Sequence, residues 1–483
     1  MQTSFFWYDL ETTGISPREG RIMQFAGQRT DLELKPVGES FNLLIKLTED
    51  ILPDPDAVLL TGITPQATLQ DGLTEVEFLR LFHEQIATPG TIFVGYNTVR
   101  FDDEFMRFLH YRNFYDAYEW EWQDGKSRWD ILDVVRMTRA LRPDGIKWPV
   151  DENGKPTNRL ELLTKLNGLD HEHAHDALND VWASIAVAQL IRSKQPSLFN
   201  YLLGLRSKKD VKEFVNQHKV FLYSSGKYDS ETEKTAVVQV VHAGDDREGA
   251  IVYDLRYDPS EFADLSPEAL ADRMSYTKDP TAPSRVPVKT LKYNHCPAIT
   301  LPGLLRDQGV QQRLHVTPEL MQANATKLHA LPSFQENVVK ARDLLDEERG
   351  EQWSKEEPDV DTALYGGSFW GENDKQLMGA VRAAAPSELA DIAAGFHDGR
   401  LQSLLPRYKA RNFAPQLTDE ERAAWERYRY QRLMAGGADS RLAKYMHRLG
   451  ELAKIETGQE KRYLLEELQL YAESIMPVID TEQ

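Results

Sequence analysis

The sequence predicts an α/β protein built in three units: a mixed-sheet domain over residues 1–190, a strand-rich unit over 196–352 and a helical unit over 353–479. Three observations carry this reading. The first stretch alternates apolar strands with amphipathic helices, the pattern of a sheet covered by helices. After the punctuation of SKQPSLF the chain changes to short strands separated by Gly and Asp turns. The last stretch carries apolar residues at i, i+3 and i+4, with capping residues before each run. A length of 483 residues fits two or three domains.

Taken in order, FFWYDLET reads as a strand with Phe5, Trp7, Asp9 and Glu11 on one face and Phe6, Tyr8 and Leu10 on the other. RIMQFAGQRT, FNLLIKL and TIFVGYN supply further strands; TEVEFLRLFHEQIA, DDEFMRFLHYRNF and ALNDVWASIAVAQLIRSK supply helices. LPDPDAV, TGITPQA and RPDGIKWPVDENGKP read as loops, from their Pro, Gly and Asp content. In the second unit KVFLYSS, KTAVVQVVHAG and GAIVYDLRY are strands, and helices follow at PELMQANATKL and QENVVKARDLLDEERG. The third unit contains the helices DKQLMGAVRAA, TDEERAAWERYRYQRLMA, SRLAKYMHRLGELAKIET and EKRYLLEELQLYAESI, the second opened by Thr418 before Asp419–Glu421. There is no internal repeat, low-complexity segment or P-loop, so no nucleotide-driven motor is indicated.

Composition sets limits. Hydrophobic residues make up 41% and aromatics 10%, enough for folded cores. Cys296 is the only cysteine, which excludes an internal disulfide framework and suits a reducing cytoplasm. No signal peptide is visible and no apolar stretch approaches the ~20 residues of a membrane span, so the expectation is a soluble cytoplasmic protein. A formal charge of −19 argues against charge-driven binding of nucleic acid, so any such contact must rest on local basic patches and stacking.

Asp9 and Glu11 continue a strand face that begins as aromatic core. Ionised carboxylates are costly there without a cation. An acid pair alone is most often the wet end of a strand, Asp102 alone an ordinary first-turn acid, and Asp180 alone a solvated helix position. Their order decides otherwise: a strand bearing the pair, an apolar strand feeding Asp102 at a helix start, and then His175 and Asp180 opening a final helix. His171, His173 and His175 crowd together as a zinc site would, but with no cysteine nearby and carboxylates all around, magnesium or manganese is the better match.

These segments resemble the three motifs of the DEDD exonucleases, in the subclass with a histidine ahead of the last aspartate. Asp9, Glu11, Asp102, His175 and Asp180 occupy the five positions, and none departs from the pattern. GYNTVRFDDE, YRNFYDAYEWEWQDGKSRWDILDVVR, ALRPDGIKWP, VPVKTLKYNHCP and RYKARNF extend the similarity to the bacterial exodeoxyribonuclease I family over nearly the whole chain. The resemblance implies a ribonuclease H-like exonuclease domain, a Src-homology-3-like barrel and a C-terminal helical domain. It also implies processive 3′→5′ degradation of single-stranded DNA to 5′-mononucleotides in repair and recombination. Two magnesium ions would share Asp9, with Glu11 and Asp180 completing one site, Asp102 serving the other and His175 acting as general base.

Between Arg107 and Arg136, cations interleave with aromatic rings, half to two-thirds of which should be core. Tyr118 and Trp122, set among polar residues, are the expected exposed stackers for unpaired bases, and Arg107, Arg136 and Arg159 the phosphate candidates, each of which could instead form a structural ion pair. Lys208, Lys289 and Asn294 are DNA contacts by resemblance. Arg407, Lys409, Arg411, Arg427, Arg429 and Arg432 read as a solvated basic face, with closure of a DNA channel or docking of the acidic tail of single-strand-binding protein as its functional reading. The alternatives are an RNA-trimming relative, or a recruitment factor on a retired nuclease fold, which the intact five residues oppose. A monomer is expected.

Overall fold

The computed structural model describes residues 3–169, 176–245, 249–275, 279, 283–354 and 359–478. The first unit is a five-stranded mixed sheet of order β3-β2-β1-β4-β5, formed by β1 (Ser4–Thr12), β2 (Ile22–Thr30), β3 (Phe41–Leu44), β4 (Thr91–Gly95) and β5 (Ser127–Asp130). Strands β1–β3 pair antiparallel, while β4 joins β1 and β5 joins β4 in parallel. The period-two reading of β1 holds. Phe5 and Trp7 enter a core with Ala177, Val181 and Ile185, whereas Phe6, Tyr8 and Leu10 enter a separate core with Phe25, Phe78 and Phe93.

Helices α1 (Pro55–Thr61) and α2 (Pro65–Asp71) stand where LPDPDAV and TGITPQA read as loops. The prolines there start helices rather than break them: each is the first helical residue, where its missing N–H costs nothing, behind a capping Asp54 or Thr64. Next come α3 (Glu75–Leu81), α4 (Asp102–Arg112), α5 (Glu119–Trp122), α6 (Ile131–Leu141), α7 (Leu160–Asn167), α8 (Ala177–Lys194) and α9 (Pro196–Gly204). Helix α8 lies against β1 and β2, which sets its first turn beside the acidic end of β1.

The second unit opens with α10 (Lys208–Gln217) and carries an antiparallel sheet of order β10-β6-β7-β8-β9. Its strands are β6 (Val220–Ser224), β7 (Thr235–Ala243), β8 (Ala250–Asp254), β9 (Val288–Leu291) and β10 (Ala298–Thr300). Helices α11 (Pro267–Met274), α12 (Gln308–Leu314), α13 (Pro318–His329) and α14 (Pro332–Ser354) complete it. Leu222, Val237 and Ile251 share the core of Phe5 and Trp7, so the two units are packed together.

The third unit is helical: α15 (Glu372–Ala383), α16 (Leu389–Ala393), α17 (Gly399–Asn412), α18 (Asp419–Leu433), α19 (Arg441–Ile455) and α20 (Gln459–Ser474). Thr418 and Glu421 form the expected capping box. Phe108, Tyr111 and Phe114 bury against Leu401, Leu404 and Tyr408, and Met23 and Val58 against Leu449 and Leu468. At roughly 1.5–3 kcal/mol per fully buried side chain, these contacts fix the helical unit to the sheet domain.

The basic segment of this unit is mostly not a solvated face. Arg411 donates to Asp361 at 2.6 and 2.7 Å and to Asp50 at 2.8 Å, all three essentially buried. Arg407 pairs with Asp361 at 2.9 Å, Lys409 with Glu421 at 2.6 Å, Arg429 with Glu426 at 2.5 Å, and Arg432 lies 3.7 Å from Asp50. Only Arg427 of the six is exposed. Five of these cations are therefore spent on acids, among them Asp50 of the sheet domain, and do not form an open patch for an acidic tail.

Candidate active site

Asp9 and Glu11 project from the end of β1, opposite Ala26 and Gln24 of β2, where a register shift follows Glu11. Asp176 caps α8 through the N–H groups of Leu178 and Asn179, both at 3.1 Å, and the first turn of that helix carries Asp180. Carboxylate oxygens of Asp9, Glu11 and Asp180 all lie within 4.8 Å of one another. His175, His171 and His173 lie outside the described residues.

Asp102 is in the first turn of α4 and buried. Its approach is set by the chain after β4. A Cβ on Gly95 would stand 2.9 Å from the Tyr8 carbonyl, so only glycine lets β4 pass that close. Asn97 then adopts φ +72°, which Asn tolerates better than most residues. Asp130 holds this turn: its carboxylate accepts from the N–H groups of Asn97 at 3.0 Å, Val99 at 3.2 Å and Leu132 at 2.9 Å. Sequence reasoning missed Asp130; its one signal was an acid directly preceding the helical run ILDVVRMTRAL.

The electrostatics show why these acids need a counter-ion. Burial, and then the charges of Asp9 and Asp180, push the Glu11 carboxyl up to about 9. Burial, Asp102 and Asp180 raise Asp9 well above the usual carboxylate range, and burial and Asp103 do the same to Asp102. Raised carboxyls at Asp9, Glu11 and Asp102, with Asp9, Glu11 and Asp180 able to share one ion and no sulfur or nitrogen donor among the described members, fit hard divalent cations.

A groove of about 830 Å³, lined by all three units, shares helix α4 with this cluster through Arg107. The sheet domain gives Arg107, Tyr118, Trp122 and Arg128; the second unit gives Lys208, Asn294 and His295; the helical unit gives Tyr365, Phe369, Trp370 and Lys375. Trp122 is 61% exposed, while Trp120 and Trp129 are buried core, as half to two-thirds of these rings were expected to be. Tyr118 is half-buried, with Phe369 edge-on at 6.0 Å and the Arg107 guanidinium over its ring at 5.5 Å. Phe369 is 72% exposed, and sequence reasoning missed it because its segment, GGSFWG, lies far along the chain from the other aromatics.

Five of the sequence-derived DNA candidates thus meet in one groove: Arg107, Tyr118, Trp122, Lys208 and Asn294. Arg107 is buried there, held by Glu121 at 2.6 and 3.1 Å. The other three stand apart from the groove lining. Arg136 pairs with Asp133 at 2.5 Å beside Gly226 of the second unit. Arg159 precedes α7, exposed, with Glu161 at 2.6 Å. Lys289 is half-buried on β9, where burial and the neighbouring Arg285 and Lys227 lower its pKa.

A mixed sheet that gathers acids from its central strand and two helices, one of which also lines a groove of rings and cations, defines an exonuclease fold. Family models agree along the chain: one described as exonuclease matches residues 6–188, the exonuclease I SH3-like domain 206–341 and the exonuclease I C-terminal domain 358–475. The chain is 38% identical to exodeoxyribonuclease I of Haemophilus influenzae, over 89% of its length and 90% of the relative. It is 36% identical to that of Escherichia coli, with 98% of each chain covered. The solved E. coli exonuclease I in complex with a dA16 oligonucleotide superposes with a TM-score of 0.90 at 37% identity, over 98% of this chain and all of that one. Other solved exonuclease I structures include a zinc-bound complex with single-stranded DNA and one with SSB. The chain belongs to the exonuclease I family, and it is a nuclease. Among the described residues, no helix is long and apolar enough to cross a membrane.

Proposed function

We propose that the protein is a magnesium-dependent 3′→5′ exonuclease that degrades single-stranded DNA processively to 5′-mononucleotides, in DNA repair and recombination. The observation that carries this is that one helix joins the acid cluster to the groove: α4 bears Asp102 in its first turn and the groove residue Arg107 further along. Asp9, Glu11 and Asp180 would hold one divalent cation and Asp102, with Asp9, a second, magnesium or manganese by their oxygen chemistry. Such ions supply charge neutralisation at a phosphodiester and acidify water.

The protein's own groups do the rest. His175 accepts a proton from the attacking water, a role an imidazole side chain commonly fills. The exposed ring of Trp122 and the partly exposed ring of Tyr118 stack on unpaired bases, which duplex DNA does not offer. Lys208 and Asn294 act from the second unit, and Arg107, Arg136, Arg159 and Lys289 line or flank the path. Because one chain supplies every groove wall, a monomer suffices. Single-strand-binding protein is the expected partner, supported by the relative's complex, with a docking surface other than the paired cations of the helical unit. The two domains beyond the sheet domain favour DNA over the RNA-trimming branch of the superfamily, which needs little beyond that domain.

Digestion of matched single-stranded DNA, RNA and duplex DNA tests the substrate class. Fast loss of single-stranded DNA is expected; preference for RNA overturns it, and binding without cleavage under any divalent ion would instead favour a recruitment factor.

A further inference from the structure

Asp103, next to Asp102, is 1% exposed and accepts hydrogen bonds from Tyr8 and Arg128. Tyr8 is in turn the neighbour of Asp9 on β1. Arg128 is a buried fork with three partners. One nitrogen serves Asp103, Nε lies 2.8 Å from Glu121 Oε2, and Nη2 donates to the Asn294 carbonyl at 2.9 Å. Glu121 grips Arg107 and precedes the exposed Trp122. A single guanidinium therefore touches a groove wall from the second unit, the helix that presents Trp122, and Asp103, which ties α4 beside Asp102 to Tyr8 of β1.

Resting on the functional reading above, we propose that Arg128 is a positioning residue that couples a strand lying in the groove to the placement of Asp9 and Asp102. The physics lies in the shape of the ion. A guanidinium is planar and rigid, so its donors cannot be re-aimed one at a time, and in a buried network each hydrogen bond polarises the next. A strand that shifts Asn294 or Trp122 moves the fork, and the fork moves Asp103 with Tyr8. Separate ion pairs would stabilise the same fold without this link; here one ion serves both ends. Coupling between two sites must also be reciprocal: if the strand tightens cation binding, the cation tightens strand binding by the same factor.

The test uses the full chain, with manganese as the probe cation and a long phosphorothioate oligothymidylate to fill the groove. Manganese binding is measured with and without the oligonucleotide for wild type, Arg128→Lys and Tyr8→Phe. Lysine keeps the charge but not the fork; phenylalanine removes one hydroxyl and leaves every charge in place. Wild type should bind manganese roughly tenfold tighter with the oligonucleotide present, within the usual range for coupled sites, and both variants should lose most of that factor. The ratio of kcat on long DNA to kcat on a trinucleotide should fall by a similar factor.

If both variants keep the full factor and ratio, or manganese affinity drops equally with and without the oligonucleotide, Arg128 is structural and the coupling is overturned. A wild type that cuts neither substrate overturns the functional reading instead, and the coupling with it.

Discussion

Replacing Arg411 with Met should loosen the helical unit from the sheet domain. The magnitude follows from what the guanidinium leaves behind. It makes charged contacts of 2.6 and 2.7 Å to Asp361 and 2.8 Å to Asp50, at side chains 2% exposed or less. Breaking a buried pair costs about 3–5 kcal/mol because a bare charge remains. Here the remainder is partly covered. Asp50 keeps Arg21 at 3.8 Å and Arg432 at 3.7 Å, and Asp361 keeps Arg407 and the Tyr428 hydroxyl, each at 2.9 Å. The lower end, about 3 kcal/mol, is the expectation, a drop in melting temperature of roughly 3 °C for a chain of this length.

Burial alone would raise both carboxyls, yet Arg411 and its neighbours hold Asp361 and Asp50 well below the usual range. A depressed folded pKa gives stability that is present above the unfolded value near ~3.9 and is lost as pH falls below it. The gap between wild type and Arg411→Met should therefore be widest at neutral pH and narrow in acid. Scanning calorimetry across that range is the assay. A variant that melts within about 1 °C of wild type at neutral pH, or a gap that widens in acid, would refute the reasoning.

Other outcomes follow from the same geometry. Trp122→Ala should weaken oligonucleotide binding by about 1–3 kcal/mol with little change in melting, whereas Trp120→Ala, at a 1% exposed position, should cost about 3–5 kcal/mol of stability; titration calorimetry and melting curves separate the two. The Glu11 carboxyl, pushed up to about 9, is protonated at neutral pH without a cation, so magnesium binding should release protons; calorimetry in buffers of different ionisation enthalpy should show that release fade as pH rises towards that value. The folded pKa of Glu11 is raised, so the cation-free protein should lose stability as pH climbs from the ordinary carboxyl range to about 9, and melting with EDTA should show it. Asp130→Ala removes the acceptor of two N–H groups in the turn before Asp102, and of the Leu132 N–H at the start of α6, and should lower kcat more than it raises KM.

Much of the site was legible because its signals are local. Alternation along FFWYDLET put Asp9 and Glu11 on one face, and the apolar run before Asp102 put it in a first helical turn. The rest depended on distance in sequence. The run from Arg407 to Arg432 looks solvated because partners such as Asp50 lie far upstream. The groove wall of Tyr365 and Phe369 is likewise remote from Tyr118 and Trp122, and no periodicity links them. Arg107 could be read from sequence as a phosphate contact or an ion pair, and its partner Glu121 stands across a turn where no periodicity links the two. Pro55 and Pro65 misled for a local reason: proline both ends and begins helices, and only the capping oxygen just before it separates the cases.

The most direct measurement is digestion of single-stranded DNA labelled at its 5′ end, with magnesium or with EDTA, by wild type and Asp9→Asn. The account predicts labelled products that shorten stepwise from the 3′ end, in magnesium only and with wild type only. Cleavage that survives EDTA or the loss of the Asp9 carboxylate, or release of the 5′ label as the first product, would contradict it.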